Sequence, residues 1–237
     1  MVIDPSEAGP VIGEIESQRL CLTQIWCTHH HHDHTGGVEE LVNRYNPSHV
    51  IGSVYDFTHK RIPHQSHGVD EITDWQFGSH KVTVLELPGH TLGAVGYLID
   101  EQLFTGDVLF VAGCGYVFEG TMRQMWLSLE KISRLKGSVQ FYCGHEYTLA
   151  NLMFAKTIEP QNESLHHKIT EVKQSLALGN PSVPSLLEHE HQYNPFLRCR
   201  QPNVIAAAER LSSSTLDNSP ERVFQILREA KNQFRMP

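Results

Sequence analysis

The 237-residue chain reads as an α+β fold in two parts, a layered region of strands and helices over residues 1–147 and a small helical region over residues 148–237. Three observations lead to this. Short apolar runs bounded by turn residues fill the first part, several of them end on a residue able to bind a metal, and after residue 147 the strand signals fade into helical periodicity.

Residues 22–28 form an apolar, Thr-containing run, and Thr35-Gly36-Gly37 opens a helical pattern that continues over 38–45. Runs at 82–87, 94–99, 103–104 and 139–142 are short, apolar and rich in β-branched or aromatic residues, and are expected to be strands. Residues 121–136 carry Met122, Met125, Trp126, Leu129, Ile132 and Leu135 as one helical stripe, with Thr121 as the cap and Gly137 after the end. That stripe reads as core. In the second part, helices are expected over 149–156, 163–178, 204–211 and 220–230, the last with Ser219 at its N-cap and Pro220 at the first helical position. The Ser212–Thr215 run reads as an ordinary loop, and no internal repeat is visible.

Composition narrows the function. With 40% hydrophobic residues the chain has enough apolar material for a packed core. No apolar stretch approaches the ~20 residues of a bilayer span, and MVIDPSEAGP has neither the basic nor the apolar region of a signal peptide. The five cysteines (Cys21, Cys27, Cys114, Cys143, Cys199) are scattered, with no C-x-x-C pair, and are expected to be small buried hydrophobes in a reducing compartment. A cytoplasmic protein without membrane partners is expected. The formal charge of −8, with 19 dispersed basic residues, argues against nucleic acid.

The most informative segment is Thr28-His29-His30-His31-His32-Asp33-His34. In an extended or loosely turning chain, side chains two apart share a face. His29 and His31 are therefore expected to grip one ion while Asp33 and His34 turn to a second, with His30 and His32 pointing elsewhere. On this reading, replacing His30 does little. A polyhistidine tag is the bland alternative, but a tag lies at a terminus and lacks the following Asp33, His34 and Gly-Gly turn. The same chemistry also returns downstream at the ends of apolar runs, in Leu87-Pro88-Gly89-His90-Thr91, Phe104-Thr105-Gly106-Asp107 and Tyr142-Cys143-Gly144-His145. Five His and two Asp would give each of two ions three private ligands and one shared ligand, with room for a bridging water. An open position of that kind marks a catalytic site.

In order and wording, THHHHDH, PGHT, TGD and CGHEY resemble the metallo-β-lactamase superfamily. The intervening Gly113-Cys114-Gly115-Tyr116-Val117-Phe118-Glu119-Gly120-Thr121, Cys143-Gly144-His145-Glu146-Tyr147-Thr148, Asn194-Pro195-Phe196-Leu197-Arg198 and the closing Arg228-Glu229-Ala230-Lys231-Asn232-Gln233-Phe234 resemble glyoxalase II, the hydroxyacylglutathione hydrolases. The resemblance covers nearly the whole chain. It implies a metallo-β-lactamase αββα sandwich followed by a small C-terminal helical domain that supplies part of a glutathione pocket.

For the site, the resemblance implies His29, His31 and His90 on the first metal, Asp33, His34 and His145 on the second, and Asp107 bridging both, as a two-oxygen carboxylate can. The cofactors would be two divalent ions, zinc first, with iron or manganese as alternatives. The implied reaction is hydrolysis of S-(2-hydroxyacyl)glutathione, S-D-lactoylglutathione by preference, to glutathione and D-lactate, the second step of methylglyoxal detoxification. Its nucleophile would be a metal-held hydroxide oriented by Asp33, since a water shared by ions ~3.5 to 4 Å apart loses its proton near neutral pH. By formal counting, two such ions with Asp33, Asp107 and that hydroxide leave about one net positive charge to attract an anionic substrate. Tyr116, Phe118, His145, Tyr147, Arg228 and Lys231 are implied as substrate contacts, the last two at the glutathione carboxylate. Taken without the resemblance, Arg228 and Lys231 read as solvated charges at a helix end. A monomer is expected.

Two departures from the family pattern stand out. Tyr116 occupies a position where most members carry Lys or Arg. The family also carries two strands ahead of Val2-Ile3-Asp4-Pro5, so either the sequence is truncated or one sheet is expected to lack an edge. Alternatives are another activity on the same fold, such as glutathione persulfide dioxygenase, and a shortened, inactive binding relative.

Overall fold

A computed structural model describes residues 1–212 and 219–236, so the Ser212–Thr215 run lies, beyond Ser212, outside the described residues. The elements are β1 (Val2–Ile3), α1 (Ala8–Gln18), β2 (Gln24–Trp26), α2 (His32–Thr35), α3 (Val38–Tyr45), β3 (His49–Ser53), α4 (Val54–His59), β4 (His67–Val69), β5 (Trp75–Phe77), β6 (His80–Glu86), β7 (Val95–Ile99), β8 (Gln102–Gly106), β9 (Leu109–Phe110), β10 (Gly113–Cys114), α5 (Met122–Ser133), β11 (Gln140–Cys143), α6 (Thr148–Ile158), α7 (Glu163–Ala177), β12 (Ser185–Leu186), α8 (Leu187–Tyr193), α9 (Pro202–Ser212) and α10 (Pro220–Gln233). Strands β1-β2-β3-β4 form a parallel sheet. A second, six-stranded sheet runs β12-β11-β8-β7-β6-β5, antiparallel except where β11 lies parallel to β8.

Three apolar layers stack these sheets. Ala8, Ile15, Val38 and Leu41 of α1 and α3 pack on Ile25 and Val50 over the outer face of the parallel sheet. Trp26, Ile51 and Val69 meet Val82, Val84, Val95 and Tyr97 between the sheets. The far face of the six-stranded sheet, with Leu85, Leu103 and Phe141, packs on Met125 and Leu129 of α5 and on Val204, Val223, Phe224 and Leu227 of α9 and α10. β6 serves both sides because alternate residues of a strand face opposite ways, Val82 and Val84 one way and Leu85 the other. The arrangement is the expected αββα sandwich, and its outer helical layer merges with the C-terminal helices in one core. No helix among the described residues is long and apolar enough to cross a membrane.

The stripe on α5 faces the core as expected, with Met125, Leu129 and Ile132 buried and Met122, Trp126 and Leu135 partly buried against it, and Thr121 caps the helix in a reciprocal capping box with Gln124. Two expectations need correction. The histidine cluster is not extended or loosely turning throughout, because His32, Asp33 and His34 lie on the one-turn helix α2. Nor are all the cysteines buried, since Cys21 is exposed.

Candidate metal centre

The seven ligand candidates converge because each follows a strand whose other end is anchored in the sandwich. At the end of β2, the Tyr97 hydroxyl donates to Cys27 O at 2.7 Å, Cys27 N donates to Ile51 O and Val95 N donates to Thr28 O. The chain then turns, and His34 N donates to His31 O as α2 begins. Asp107 follows β8 through Gly106, which has φ 49°, where a Cβ would collide with the Thr28 side chain. His145 follows β11 through Gly144, where a Cβ would collide with the Asp107 carboxylate.

Ligand atoms of His29, His31 and His90 lie within 4.8 Å of one another, as do those of Asp33, His34 and His145. His31 Nδ1 is 3.2 Å from His29 Nε2 and 3.0 Å from His90 Nε2. Asp107 stands between the sets, with Oδ1 3.3 Å from His34 Nε2 and Oδ2 3.5 Å from His90 Nε2 and 3.3 Å from His145 Nε2. Asp33 Oδ2 is 3.2 Å from His145 Nε2.

The other ring nitrogens explain which tautomers face inward. His90 Nδ1 donates to Tyr116 O at 2.8 Å, and His34 Nδ1 donates to Asp4 Oδ2 at 2.9 Å. His29 Nδ1 donates to Thr28 Oγ1 at 3.0 Å, and that hydroxyl donates to the same Asp4 Oδ2 at 2.6 Å. Each arrangement aims Nε2 at the centre, which is how outer partners orient metal-binding imidazoles. Asp4 therefore braces one histidine of each set.

Burial pushes His29, His31 and His90 down, so their imidazoles are neutral. For His34, burial acts in the same direction, but Asp107 and Asp4 beside it prevail and raise it to about 10. His145 is raised chiefly by Asp107. Against its own burial, His145 and His34 hold the Asp107 carboxyl well below the usual carboxylate range.

The donor set fits divalent metal. His34 Nε2 and Asp107 Oδ1 are buried and have no hydrogen-bond partner, and a cation between the two would satisfy both. Nitrogen and carboxylate donors without thiolate suit zinc, iron or manganese.

An aromatic rim surrounds the centre. Phe118 sits 5.3 Å from the His90 ring and 5.6 Å from His31, Tyr116 packs on Phe118 at 4.6 Å, and Tyr147 stacks on His145 at 4.9 Å. Tyr116, Phe118 and Tyr147 are all exposed. Arg228 and Lys231 are not the solvated helix-end charges that their sequence positions suggest. Arg228 is 5% exposed, its Nη1 donates to Cys114 O at 2.6 Å and its Nε donates to Asn232 Oδ1 at 3.0 Å. It braces the segment before Tyr116. Half-buried Lys231 donates to Ala150 O at 3.3 Å between the rings of Phe154 and Phe234.

His30 turns away from the ligands, as expected, but into a polar cluster. Its Nε2 accepts from Arg61 Nη2 at 2.5 Å, and its Nδ1 is 3.7 Å from the fully buried carboxylate of Asp56. Arg61 in turn holds Glu119, whose Oε2 accepts from Leu92 N at 2.9 Å, two residues after His90. Asp4, the Thr28 hydroxyl, Arg61 and Glu119 escape sequence reasoning. Asp4 lies 24 residues before Thr28 and Arg61 lies 58 before Glu119, and no local spacing marks such pairs.

A family profile described as "Metallo-beta-lactamase superfamily" matches residues 1–145, and one described as "Hydroxyacylglutathione hydrolase C-terminus" matches residues 146–234. The chain is 46% identical over 233 residues to a hydroxyacylglutathione hydrolase of Vibrio cholerae serotype O1, covering 98% of this chain and 90% of the relative. It is 44% identical over 234 residues to the one from Alkalilimnicola ehrlichii, covering 98% and 89%. Among solved structures, ETHE1 from Myxococcus xanthus has a TM-score of 0.64 at 23% identity, covering 97% of this chain and 80% of that one. BLEG-1 B3 metallo-beta-lactamase has a TM-score of 0.61 at 21% identity, covering 83% and 88%. These two likenesses concern the fold. With its ligand-bearing strand ends in the sandwich and its helical tail matched end to end, the chain belongs to the hydroxyacylglutathione hydrolase family of the metallo-β-lactamase superfamily.

Proposed function

We propose that this chain hydrolyses the thioester of S-(2-hydroxyacyl)glutathione, with S-D-lactoylglutathione as the preferred substrate, releasing glutathione and a 2-hydroxy acid as the second step of methylglyoxal detoxification. The observation that carries the reading is the convergence of two three-residue ligand sets on Asp107 in a chain of this family. His29, His31 and His90 would hold one ion and Asp33, His34 and His145 the other, with Asp107 shared. When bound, two divalent ions supply Lewis acidity and lower the pKa of water towards neutrality.

The remaining chemistry belongs to the chain. Asp33, with its side chain 59% exposed, is open to the cleft and can accept a proton from an incoming water. The bonds from His90 to Tyr116 O and from His34 to Asp4 hold the imidazoles still, so little reorganisation accompanies the reaction. Phe118 and Tyr147 flank the thioester and limit water at the leaving sulfur, with the Tyr147 hydroxyl beside it. Lys231 provides the cation for the glutathione carboxylate, and Arg228 supports the wall that carries Tyr116. A thiolate leaves readily, so no strong general acid is required.

Residues 148–237 act on this reading as the glutathione-binding helical domain. All five cysteines are free, which supports a reducing, cytoplasmic setting. The test is metal content and S-D-lactoylglutathione hydrolysis measured on one sample. Two ions per chain with thioester turnover is the expected result. Oxygen uptake with glutathione persulfide in place of thioester hydrolysis overturns it.

A further inference from the structure

Between Asp107 and Tyr116 the chain forms the small hairpin β9–β10, and residues 105–115 are all buried. A buried turn must find partners for its backbone polar groups. Here they come from side chains of the C-terminal helices. Asn194 Nδ2 donates to Phe110 O at 3.3 Å and to Gly113 O at 3.1 Å, and Glu190 Oε2 accepts from Ala112 N at 2.7 Å. Asn151 and Arg228 take Val111 O and Cys114 O. At the hairpin tip Ala112 has φ 54°, a left-handed conformation that a residue with a side chain keeps only where its surroundings hold it.

Glu190 and Asn194 are themselves fully buried and locked. Glu190 Oε1 accepts from the hydroxyls of Ser185 and Tyr193, both at 3.1 Å, while its Oε2 also accepts from Asn194 Nδ2 at 3.0 Å. Asn194 Oδ1 accepts from Phe196 N at 3.1 Å. The hairpin so held leaves directly from Asp107 at one end. At the other it delivers the Tyr116 carbonyl that orients His90.

We propose that Glu190 and Asn194 are positioning residues, which act through the β9–β10 hairpin to set the bridging carboxylate of Asp107 and the tautomer-fixing carbonyl of Tyr116. The proposal rests on the reading of Asp107 and His90 as metal ligands. It gives the Asn194-Pro195 motif a task and makes the helical tail part of the metal centre's frame as well as of the substrate pocket.

The test compares the zinc-loaded parent with Glu190→Gln, Glu190→Ala, Asn194→Ser and Tyr193→Phe, reading zinc affinity by competition with a chromophoric chelator, kcat, KM and the Tm of the metal-free protein. In Glu190→Gln the amide oxygen keeps Ala112 N and Asn194, while the amide NH2 donates to the Ser185 and Tyr193 hydroxyls, which can reverse roles. This variant is expected to stay within about 2-fold of the parent in zinc affinity and kcat. Loss of an outer partner typically costs about 10–100-fold in metal affinity or activity, so Asn194→Ser and Glu190→Ala are expected to fall in that range in both, with KM nearly unchanged. Should Glu190→Ala not fold, the milder Asn194→Ser still decides. Tyr193→Phe, which removes a bond facing away from the hairpin, should lower Tm while leaving zinc affinity in place.

Asn194→Ser with parental zinc affinity and kcat but a lowered Tm overturns the proposal, as does a Glu190→Gln as damaged as Glu190→Ala. A parent that binds zinc but leaves the thioester intact overturns the proposed function alone, since the zinc-affinity ratios still report on the hairpin.

Discussion

The two candidate ligand sets use nearly the same residue types but are supported differently. In the first, His29 and His90 are 1% and 4% exposed, and each has its second ring nitrogen tied to a protein acceptor. In the second, only His34 is both buried and tied, while the side chains of Asp33 and His145 are 59% and 25% exposed. Two of the three candidates in the first set are thus buried and braced, a socket that His31, partly exposed, completes. The second is completed by two more exposed arms, Asp33 and His145, beside buried His34. Rigidity and access are thus divided between the two positions, and Asp107 and Asp4 are the residues that join them.

The largest effect is expected at the shared ligand. Asp107→Ala should lower metal content at both positions and reduce kcat by more than about 100-fold, because it removes a ligand where loss of a mere outer partner already costs ~10–100-fold. Metal analysis of the dialysed variant checks this. Retention of one full ion would mean that the sets are independent.

Next comes Asp4→Ala, which touches no ion in this reading yet braces both sets. Zinc titration should show both affinities weakened by about 10–100-fold. Weakening of only the His34 set would show that the Thr28 relay to His29 is idle.

The socket-and-arm contrast itself predicts biphasic metal removal. A mild chelator should take the Asp33–His34–His145 ion first, and Asp33→Ala should retain close to one ion per chain. A single phase for both ions removes the distinction.

The smallest effect concerns Lys231, whose ammonium burial lowers to about 8, with Arg228 adding to the shift. The cation is present below that value and is lost as pH rises through it, so KM for the glutathione thioester should climb above pH 8. A charge-assisted bond contributes about 1.5–3 kcal/mol, and its half-buried setting places the expected KM change near the lower end, on the order of 10-fold. Lys231→Gln should raise KM at neutral pH and flatten the profile. A KM with no pH dependence from 7 to 9.5 in the parent would return Lys231 to a packing role.

Local chemistry made much of this legible in the sequence. Helix α3 spans the anticipated 38–45, and α5 begins at the anticipated Thr121 cap, because an amphipathic stripe and a cap are complete within a dozen residues. The ligand candidates were readable because each stands in a short, distinctive word at a strand end. Helix α1 gave no comparable signal, since Gly9, Pro10 and Gly13 dilute its helical propensity and its buried face is only Ala8 and Ile15. The hairpin β9–β10 is too short to have a period at all.

Residue identity and spacing by themselves determined the fold class and the ligand candidates. Tertiary structure alone decided how those ligands are held: Asp4 against Thr28 and His34, Arg61 against His30 and Glu119, Arg228 against Cys114, and Glu190 and Asn194 against the hairpin. These are hydrogen bonds between groups 24 to 114 residues apart. The physical reason is that a metal ligand is recognised by its own donor atom, whereas the group that orients it is one polar side chain among many until the chain folds and buries it beside its partner.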